Sequence, residues 1–377
     1  MGILATFIFA SVFILFLIVE KLRHNRRVRS IPLRICVTGT RGKSSVTRMI
    51  ASILRESGRR VVAKTTGSAA RLILPDGTET DFPRRGPANI LEQKKLVKKA
   101  SSLGADCLVA EMMSIHPENH RVEARHLLQP SIIAVTNVRR DHTEAMGETE
   151  EEIASAFLPA IPPTATAFIP QAAAKLFPLK LATEVPQGAW APHLTKREYS
   201  DDLDLVHAVG RHLGVDDQTI LAGIRKVRHD PGHLDIRVWH CEGHCYYLVN
   251  AFAANDPEST WRALEKARAL LPEISGTAGI LNLRADRPAR TLQWIAALRS
   301  GGDARLDSLY VLGGHSGVVQ RKLRAVRTLG GNSPEAIMKD VARGLQDRSM
   351  IFGFGNMGGA GKLLVSYWER IGEPYAV

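Results

Sequence analysis

The sequence predicts an α/β protein with an N-terminal transmembrane helix, a P-loop-type parallel sheet with flanking helices, and a smaller α/β C-terminal domain. Three observations predict this fold. Residues 3–19 form an uncharged and almost wholly apolar run. Short apolar segments of strand length alternate with longer segments of helical periodicity, which favours a parallel sheet covered by helices on both faces. A glycine-rich turn separates the first of these strands from the first amphipathic helix.

The apolar N-terminal run is long enough to cross a membrane. At ~1.5 Å per residue it covers roughly 26 Å of a ~30 Å hydrocarbon core. Basic residues follow it at once, namely Lys21, Arg23, Arg26, Arg27, Arg29 and Arg34. The positive-inside rule then predicts a single-pass protein of the cell membrane with residues 21–377 in the cytoplasm. A cleaved signal peptide is the alternative, but no charge precedes the apolar run and no small-x-small site follows it.

The composition narrows the classes of function. The 377 residues suffice for two domains, and 45% of them are hydrophobic. The formal net charge of +12 suits nucleic acid, a membrane surface or acidic substrates. Because no nucleic-acid-binding signature accompanies this charge, we expect the last two and no nucleic acid partner. The four cysteines are too few for a disulfide scaffold, which indicates a reducing compartment.

The periodicity places the elements in order. Before the middle of the chain it predicts strands at 33–38, 61–64, 107–110 and 132–135, and helices at 44–57 and 91–103. The Ala- and Pro-rich residues 159–192 are expected to hold one more strand and a loop, and residues 201–227 are expected to be helical. Later segments predict a hairpin around Glu242-Gly243, helices at 257–271, 288–299 and 333–345, and strands at 277–283, 308–312 and 349–354.

The segment Asp230-Pro231-Gly232 breaks the pattern and marks the predicted domain boundary. The expected organisation is therefore a membrane helix over residues 1–20, a basic linker over 21–32, a first α/β domain over 33–229, and a second α/β domain over 230–377.

The strongest functional signal is the turn after the first strand. A phosphate site needs small residues, whose backbone N–H groups can approach the phosphates, and a helix N-terminus with its favourable partial charge. We expect Lys43 to reach the β- and γ-phosphates of ATP and the Ser44 hydroxyl to ligate Mg²⁺. The predicted nucleotide-binding residues of the turn are Thr38, Gly39, Thr40, Arg41, Gly42, Lys43, Ser44 and Ser45.

A carboxylate ends a neighbouring strand. Glu111 closes the apolar segment CLVAE. A hard oxygen at the carboxyl end of a strand can ligate Mg²⁺ beside a phosphate loop. The sequence therefore predicts Glu111 as a second metal ligand; a solvated loop residue is the alternative.

The form of the loop resembles that of the Mur ligase superfamily, whose members make amide bonds in peptidoglycan precursors, folates and poly-γ-glutamate. The common phosphate loop has a further glycine where Val37 stands here. The segment Thr136-Asn137-x3-Asp141-His142 is similar to the superfamily's Thr-Asn-x3-Asp-His motif. This resemblance implies a Mur ligase central domain, a nucleotide contact by Asn137, and a second Mg²⁺ held by the catalytic His142.

Other segments resemble the poly-γ-glutamate synthases PgsB/CapB. They are Asp81–Gly86 with Asn89, Ile90, Glu92 and Gln93, the run Asp141–Gly147, and the membrane helix directly before the nucleotide domain. The resemblance implies an ATP-dependent ligase that forms γ-glutamyl amide bonds through an acyl phosphate. It further implies glutamate or another amino acid and a growing polymer as substrates, small membrane-protein partners, and a homo-oligomer.

Arg84 and Arg85 could hold substrate carboxylates, because arginine binds them bidentately. A solvated basic loop explains the pair equally well. Many members of the superfamily carry a carbamylated lysine, for which Lys175 and Lys180 stand in a suitable region. Pro231-Gly232-His233 departs from the Pro-Gly-Arg of folate-type ligases, so that nucleotide contact is not carried over.

Two alternative functions stay open. One is a folate-type ligase, against which His233 and the membrane helix argue. The other is a membrane-tethered nucleotide switch or transport ATPase, although the guanine-reading Asn-Lys-x-Asp element is missing from the sequence.

A further cluster resembles a zinc site but is not expected to be one. Its candidate ligands flank a predicted hairpin turn, and alternation along the strands would direct them to opposite faces. They are His240, Cys241, His244 and Cys245.

Overall fold

A computed structural model describes most of the chain and divides it into two units, residues 1–228 and 229–377. The described residues are 2–66, 70–84, 86–140, 143–178, 182–188, 190, 200–227, 234–302, 305–323, 326–330 and 333–375. The predicted boundary at Asp230–Gly232 lies outside them.

The first unit begins with the long helix α1, Gly2–Arg29. Within the described ranges it is the one helix that is long and apolar enough to cross a membrane. Its large apolar side chains from Ile3 to Ile18 are exposed in the isolated chain. The residues predicted as a basic linker do not form a separate segment, because the helix continues through them to Arg29. Here Val28 and the following Ile31 are fully buried in the core of the unit.

An eight-stranded sheet forms the centre of the first unit, in the order β4-β3-β2-β5-β1-β6-β7-β8. All its pairs are parallel except β2–β3 and β3–β4. The strands are β1 Leu33–Thr38, β2 Val61–Thr65, β3 Arg71–Ile73, β4 Glu79–Asp81, β5 Cys107–Glu111, β6 Ile132–Val135, β7 Thr166–Pro170 and β8 Ala182–Val185.

Helices cover both faces of this sheet, as its doubly buried central strands require. They are α2 Lys43–Glu56, α3 Glu92–Ser102, α4 Pro117–Val122, α5 Thr143–Met146, α6 Glu150–Phe157, α7 Gln171–Ala174, α8 Ser200–His212 and α9 Asp217–Arg225. The helices α2, α8 and α9 pack on one face. The end of α1 packs on the other face with α3, α6 and a π-helical turn at Glu123–Leu128 that continues α4.

The second unit has a seven-stranded sheet in the order β13-β12-β11-β14-β10-β9-β15, in which β9 and β15 are antiparallel to their neighbours. Its strands are β9 Asp235–Cys241, β10 His244–Ala251, β11 Thr277–Leu283, β12 Ser308–Gly313, β13 Val326–Thr328, β14 Ser349–Phe354 and β15 Glu373–Pro374. Its helices are α10 Pro257–Leu270, α11 Pro288–Ala297, α12 Ser316–Lys322, α13 Pro334–Ala342 and α14 Ala360–Ile371.

The predicted fold class is confirmed, with local differences. The described part of residues 159–192 contains two strands, β7 and β8, where one was predicted. Residues 201–227 form two helices, because Gly214 has a positive φ of 77° and ends the first. The antiparallel strands β3 and β4 were not predicted, since each is only three residues long and carries little apolar pattern.

Candidate active site

The loop between β1 and α2 passes very close to the segment that follows β6. Gly39 has a φ of 120°, and a Cβ atom at this position would lie 2.3 Å from Thr136 Oγ1. Gly42 has a φ of 83° and would place a Cβ 2.7 Å from Asp202 Oδ1. Both positions therefore need glycine, for backbone conformation as well as for space.

Asn137 fixes the shape of this loop. Its Oδ1 accepts a hydrogen bond from Arg41 N at 3.1 Å, and its Nδ2 donates to Arg41 O at 3.0 Å. Its own carbonyl accepts from Thr40 N at 3.0 Å. The glycine-rich loop and the segment that begins at Thr136 are therefore in contact, and the Asn137 side chain fixes the backbone of the loop. Its predicted contact with nucleotide stays a prediction.

The Lys43 side chain folds back over the loop between β1 and α2. Its Nζ donates hydrogen bonds to Gly39 O at 2.6 Å and to Thr40 O at 3.1 Å. The ammonium group is therefore held at the N-terminus of α2, where the helix itself favours negative charge. This concentration of positive potential suits the phosphates of a nucleotide.

Ser44 and Glu111 converge beside the lysine. Ser44 Oγ donates to Glu111 Oε2 at 2.7 Å, and Thr66 N donates to the same oxygen at 2.7 Å. The carboxylate is almost fully buried, with 3% of its surface exposed. Its position follows from the sheet, since Glu111 pairs with Val37 where β5 and β1 end together. A hydroxyl and a carboxylate are hard oxygen ligands, so this pair fits a magnesium ion.

The buried carboxylate of Glu123, which was not predicted from the sequence, helps to position the backbone at Glu111 through Gln93. Glu123 accepts hydrogen bonds from Gln93 Nε2 at 2.6 Å, from Met113 N at 3.1 Å and from Ser114 N at 3.1 Å. Burial raises the pKa of Glu123, and these donors oppose that rise. Gln93 Nε2 also donates to Glu111 O at 3.2 Å. This network fixes the backbone on which the metal-ligand candidate stands.

A second buried network engages Arg84. Its Nε lies 2.8 Å from Glu92 Oε1, and Lys64 Nζ lies 2.9 Å from Glu92 Oε2. Lys64 has no exposed surface, and burial lowers its pKa. The negative charge of Glu92 therefore offsets part of the positive charge of Arg84 that would attract a substrate carboxylate. Carboxylate binding by Arg84 stays a prediction.

His120 on α4 is buried without a hydrogen bond. Its side chain is 1% exposed, and neither ring nitrogen has a partner among the described residues. The ring packs edge-on against Phe157, with the centroids 5.5 Å apart. Burial lowers the pKa of His120 to about 4, and the positive charge of Lys43 acts in the same direction. The histidine is therefore neutral at physiological pH.

Several predicted residues lie outside the described ranges. They are Arg85, Asp141, His142, Lys180 and Pro231–His233. The other lysine considered for carbamylation, Lys175, is exposed after α7. In the hairpin of the second unit, His244 pairs with Cys241 and Cys245 pairs with His240. Successive pairs point to opposite faces of a sheet, so the four side chains are divided between the two faces.

Comparisons with known proteins match both units of the chain. The description "Poly-gamma-glutamate synthase CapB C-terminal domain" matches residues 237–371, and "Mur ligase middle domain" matches residues 37–166. The chain is 32% identical to "PGA synthase CapB" of Bacillus subtilis (strain 168), with 94% of each chain covered. It is 30% identical to "Capsule biosynthesis protein CapB" of Bacillus anthracis, over 95% of this chain and 81% of that one.

Solved structures share the fold at lower identity. "E.coli FolC in complex with DHPP and ADP" superposes with a TM-score of 0.66 and 15% identity, over 92% of this chain and 91% of that one. A folylpolyglutamate synthase/dihydrofolate synthase from Yersinia pestis, complexed with AMPPNP and Mn ion, gives a TM-score of 0.68 and 14% identity, with 92% of each chain covered.

Fold, phosphate loop and family matches together define the class of protein: an ATP-dependent amide ligase with the Mur ligase fold. Within this class the chain belongs to the CapB family, as its identity over nearly the full length of a curated member shows. The resemblance noted from the sequence is thereby confirmed.

Proposed function

We propose that this chain joins glutamyl units through γ-amide bonds to make poly-γ-glutamate at the cytoplasmic face of the cell membrane, using ATP and Mg²⁺. The observation that carries the proposal is the 2.7 Å contact between Ser44 Oγ and Glu111 Oε2 directly beside Lys43. It combines a phosphate loop with hard-oxygen ligands in a chain 32% identical to a PGA synthase.

Ser44 and Glu111 would hold the magnesium ion. The ion supplies positive charge that neutralises phosphate oxygens. The resemblance implies that His142 holds a second ion, and this residue remains a candidate from the sequence. Glu111 is suited to its role because Thr66 N and Ser44 Oγ orient the same carboxylate oxygen.

The loop would stabilise charge by preorganised contacts. Lys43 interacts with the β- and γ-phosphates, and the amide groups at the start of α2 bind phosphate oxygens. Asn137 holds the Arg41 backbone at both its N–H and its C=O, so the loop needs little rearrangement when nucleotide binds.

The proposed reaction has two steps, formation of an acyl phosphate and its displacement by an amine. A carboxylate oxygen of the acceptor attacks the γ-phosphorus of ATP, the bond to the β,γ-bridging oxygen breaks, and ADP leaves. The amine nitrogen of the incoming amino acid then attacks the acyl carbon, the C–O bond to phosphate breaks, and a proton passes from the nitrogen to the departing phosphate. The protein's part is to position the reactants and to stabilise charge.

The membrane location is part of the same proposal. The apolar stretch of α1 and the basic residues after it support a single span with both units in the cytoplasm. Small membrane-protein partners and a homo-oligomer remain predictions that follow from the family.

Product analysis tests the proposal. Membranes that carry the full chain receive ATP, Mg²⁺ and a panel of amino acids and folates, and mass spectrometry identifies the products. We expect γ-linked glutamate oligomers and equimolar ADP and phosphate, with a loss of about 10²-fold or more in Lys43→Ala. Lys226→Ala is the matched control, since this lysine is 62% exposed in the same unit. Nucleotide turnover that is independent of any amino acid contradicts the proposal.

A further inference from the structure

We propose that the catalytic edge of the first unit faces the membrane. The catalytic edge is the edge of the sheet at which β1 and β5 end and at which Ser44 and Glu111 meet. This inference rests on the membrane location and the active site proposed above, and it adds the direction in which the site opens. It follows from the direction of two helices.

The first step is the direction of α3. Gln93, in its first turn, donates a hydrogen bond to the carbonyl of Glu111 at the end of β5. The last turn of α3 leads through Gly104 into the start of β5 at Cys107. The N-terminal end of α3 therefore lies at the catalytic edge, and its C-terminal end lies at the opposite edge.

The second step is the direction of α1 beside α3. Ser30 Oγ lies 2.9 Å from Ser101 Oγ, in the last turn of α3. Glu20 Oε1 lies 2.8 Å from Lys94 Nζ, in the first turn of α3. Moving back along α1 from Ser30 to Glu20 therefore leads from the opposite edge towards the catalytic edge.

Contacts at the far end of α1 agree with this direction. Arg34, at the start of β1, donates hydrogen bonds to Ile31 O at 2.5 Å and to Gln129 O at 2.7 Å. Three residues separate the end of α1 at Arg29 from Leu33, which pairs with Cys107 at the start of β5, so the C-terminal end of α1 lies at the opposite edge.

The last part of α1, residues 20–29, is fixed to the unit, and we call it the stem. Val28 is fully buried, and His24 Nε2 lies 2.9 Å from Leu127 O. The helix continues without a break from the stem into the exposed apolar residues 3–18. Since the stem points towards the catalytic edge and leads straight into the bilayer, the bilayer lies on the side of that edge.

This orientation has a consequence for the substrates. Acceptor and product exchange through the layer of solvent next to the lipid headgroups. A membrane-embedded partner can then take up the polymer at the site where it is made.

Two labels on one helix test the orientation. Leu91, just before α3, is 53% exposed, and Ser102, at its other end, is also exposed. They are separated by about 16 Å along the helix. Leu91→Cys and Ser102→Cys are made in the full chain with Cys241→Ser and Cys245→Ser, while the buried Cys36 and Cys107 are kept. Each variant is labelled with a fluorophore and reconstituted in nanodiscs that contain a headgroup-nitroxide lipid.

We expect the nitroxide to quench the label at Leu91 several-fold more than the label at Ser102. Equal quenching, stronger quenching at Ser102, or no quenching of either label overturns the inference. Glutamate-dependent ADP release, measured on the same nanodiscs, separates the two proposals. If release persists while the quenching is equal or reversed, the orientation is wrong and the ligase function stands. If release is absent while Leu91 is quenched more, the ligase function fails and the orientation of the sheet edge stands.

Discussion

At the scale of single residues, one oxygen atom of Glu111 organises the candidate metal site. Oε2 accepts from both Ser44 Oγ and Thr66 N at 2.7 Å. A glutamine at this position can offer its one carbonyl oxygen to the same two donors. The substitution therefore removes the negative charge while it keeps the hydrogen bonds, which separates metal binding from folding.

We predict that Glu111→Gln folds normally and loses activity by roughly 10²-fold, because a neutral amide binds a divalent cation much more weakly than a carboxylate. The Mg²⁺ concentration for half-maximal ADP release should rise in the variant. Titration of activity against Mg²⁺ measures both effects. Glu118→Gln, on the exposed surface of α4, serves as the control and should leave the titration unchanged. An unaltered Mg²⁺ titration in Glu111→Gln would remove this residue from the metal site.

His120 makes the stability of the first unit depend on pH. An unfolded histidine takes up a proton near pH 6.5, whereas the buried ring has a pKa of about 4. Between these values the unfolded state binds more protons than the folded state, so the free energy of unfolding falls as the pH drops. Over the full interval the loss due to this histidine is about 3 kcal/mol.

We predict that His120→Leu flattens this dependence, because leucine does not titrate and neither ring nitrogen gives up a hydrogen bond within the described structure. Hydrogen-exchange mass spectrometry of peptides from α4 and β6 at pH 6.5 and pH 4 measures the local stability. The variant should lose less protection between the two values than the original chain, and the difference between the two chains isolates His120 from the carboxylates that titrate in the same range. Identical losses would show that this histidine is not responsible.

At the scale of elements, the stem shows why only part of the fold could be predicted from the sequence. Lys21, Arg23 and Arg26 are charged and exposed, so their pattern resembles a linker. The helix persists because His24 and Val28 bury one side of this segment, and burial of an apolar side chain such as that of Val28 contributes about 1.5–3 kcal/mol. The segment has few apolar residues, so its sequence alone does not show that it packs against α3.

The elements of the active site were easier to predict. β1, β5 and β6 are short apolar strands buried on both faces, and Gly39 and Gly42 bound a turn that leads into an amphipathic helix. Each of these signals is local in the sequence. The ion pairs of Glu92 with Lys64 and Arg84 join residues from three separate segments, so only the folded chain shows that Arg84 has a buried partner.

At the scale of the whole molecule, one helix combines the proposed membrane anchor with a structural part of the first unit. Residues 3–18 are exposed in the isolated chain, whereas the stem packs into the core. The two functions should therefore be separable by the point of truncation.

We predict that a chain beginning at Glu20 no longer binds membranes and keeps a folded first unit, because the apolar run is gone while His24, Val28 and Ile31 retain their contacts. Flotation with liposomes measures membrane binding, and hydrogen exchange of α3 measures folding. The full chain should float, and the shortened chain should stay at the bottom of the gradient with unchanged protection in α3.

A chain that begins at Pro32 is the matched control for this truncation. It also lacks the anchor, but it loses the stem as well, which exposes apolar surface of the first unit to water. Protection in α3 should fall in this chain alone, since it lacks both Glu20, which pairs with Lys94, and Ser30, which lies against Ser101. Flotation of the chain that begins at Glu20 would contradict an anchor within the first 19 residues. Equal protection in both truncated chains would contradict a structural role for the stem.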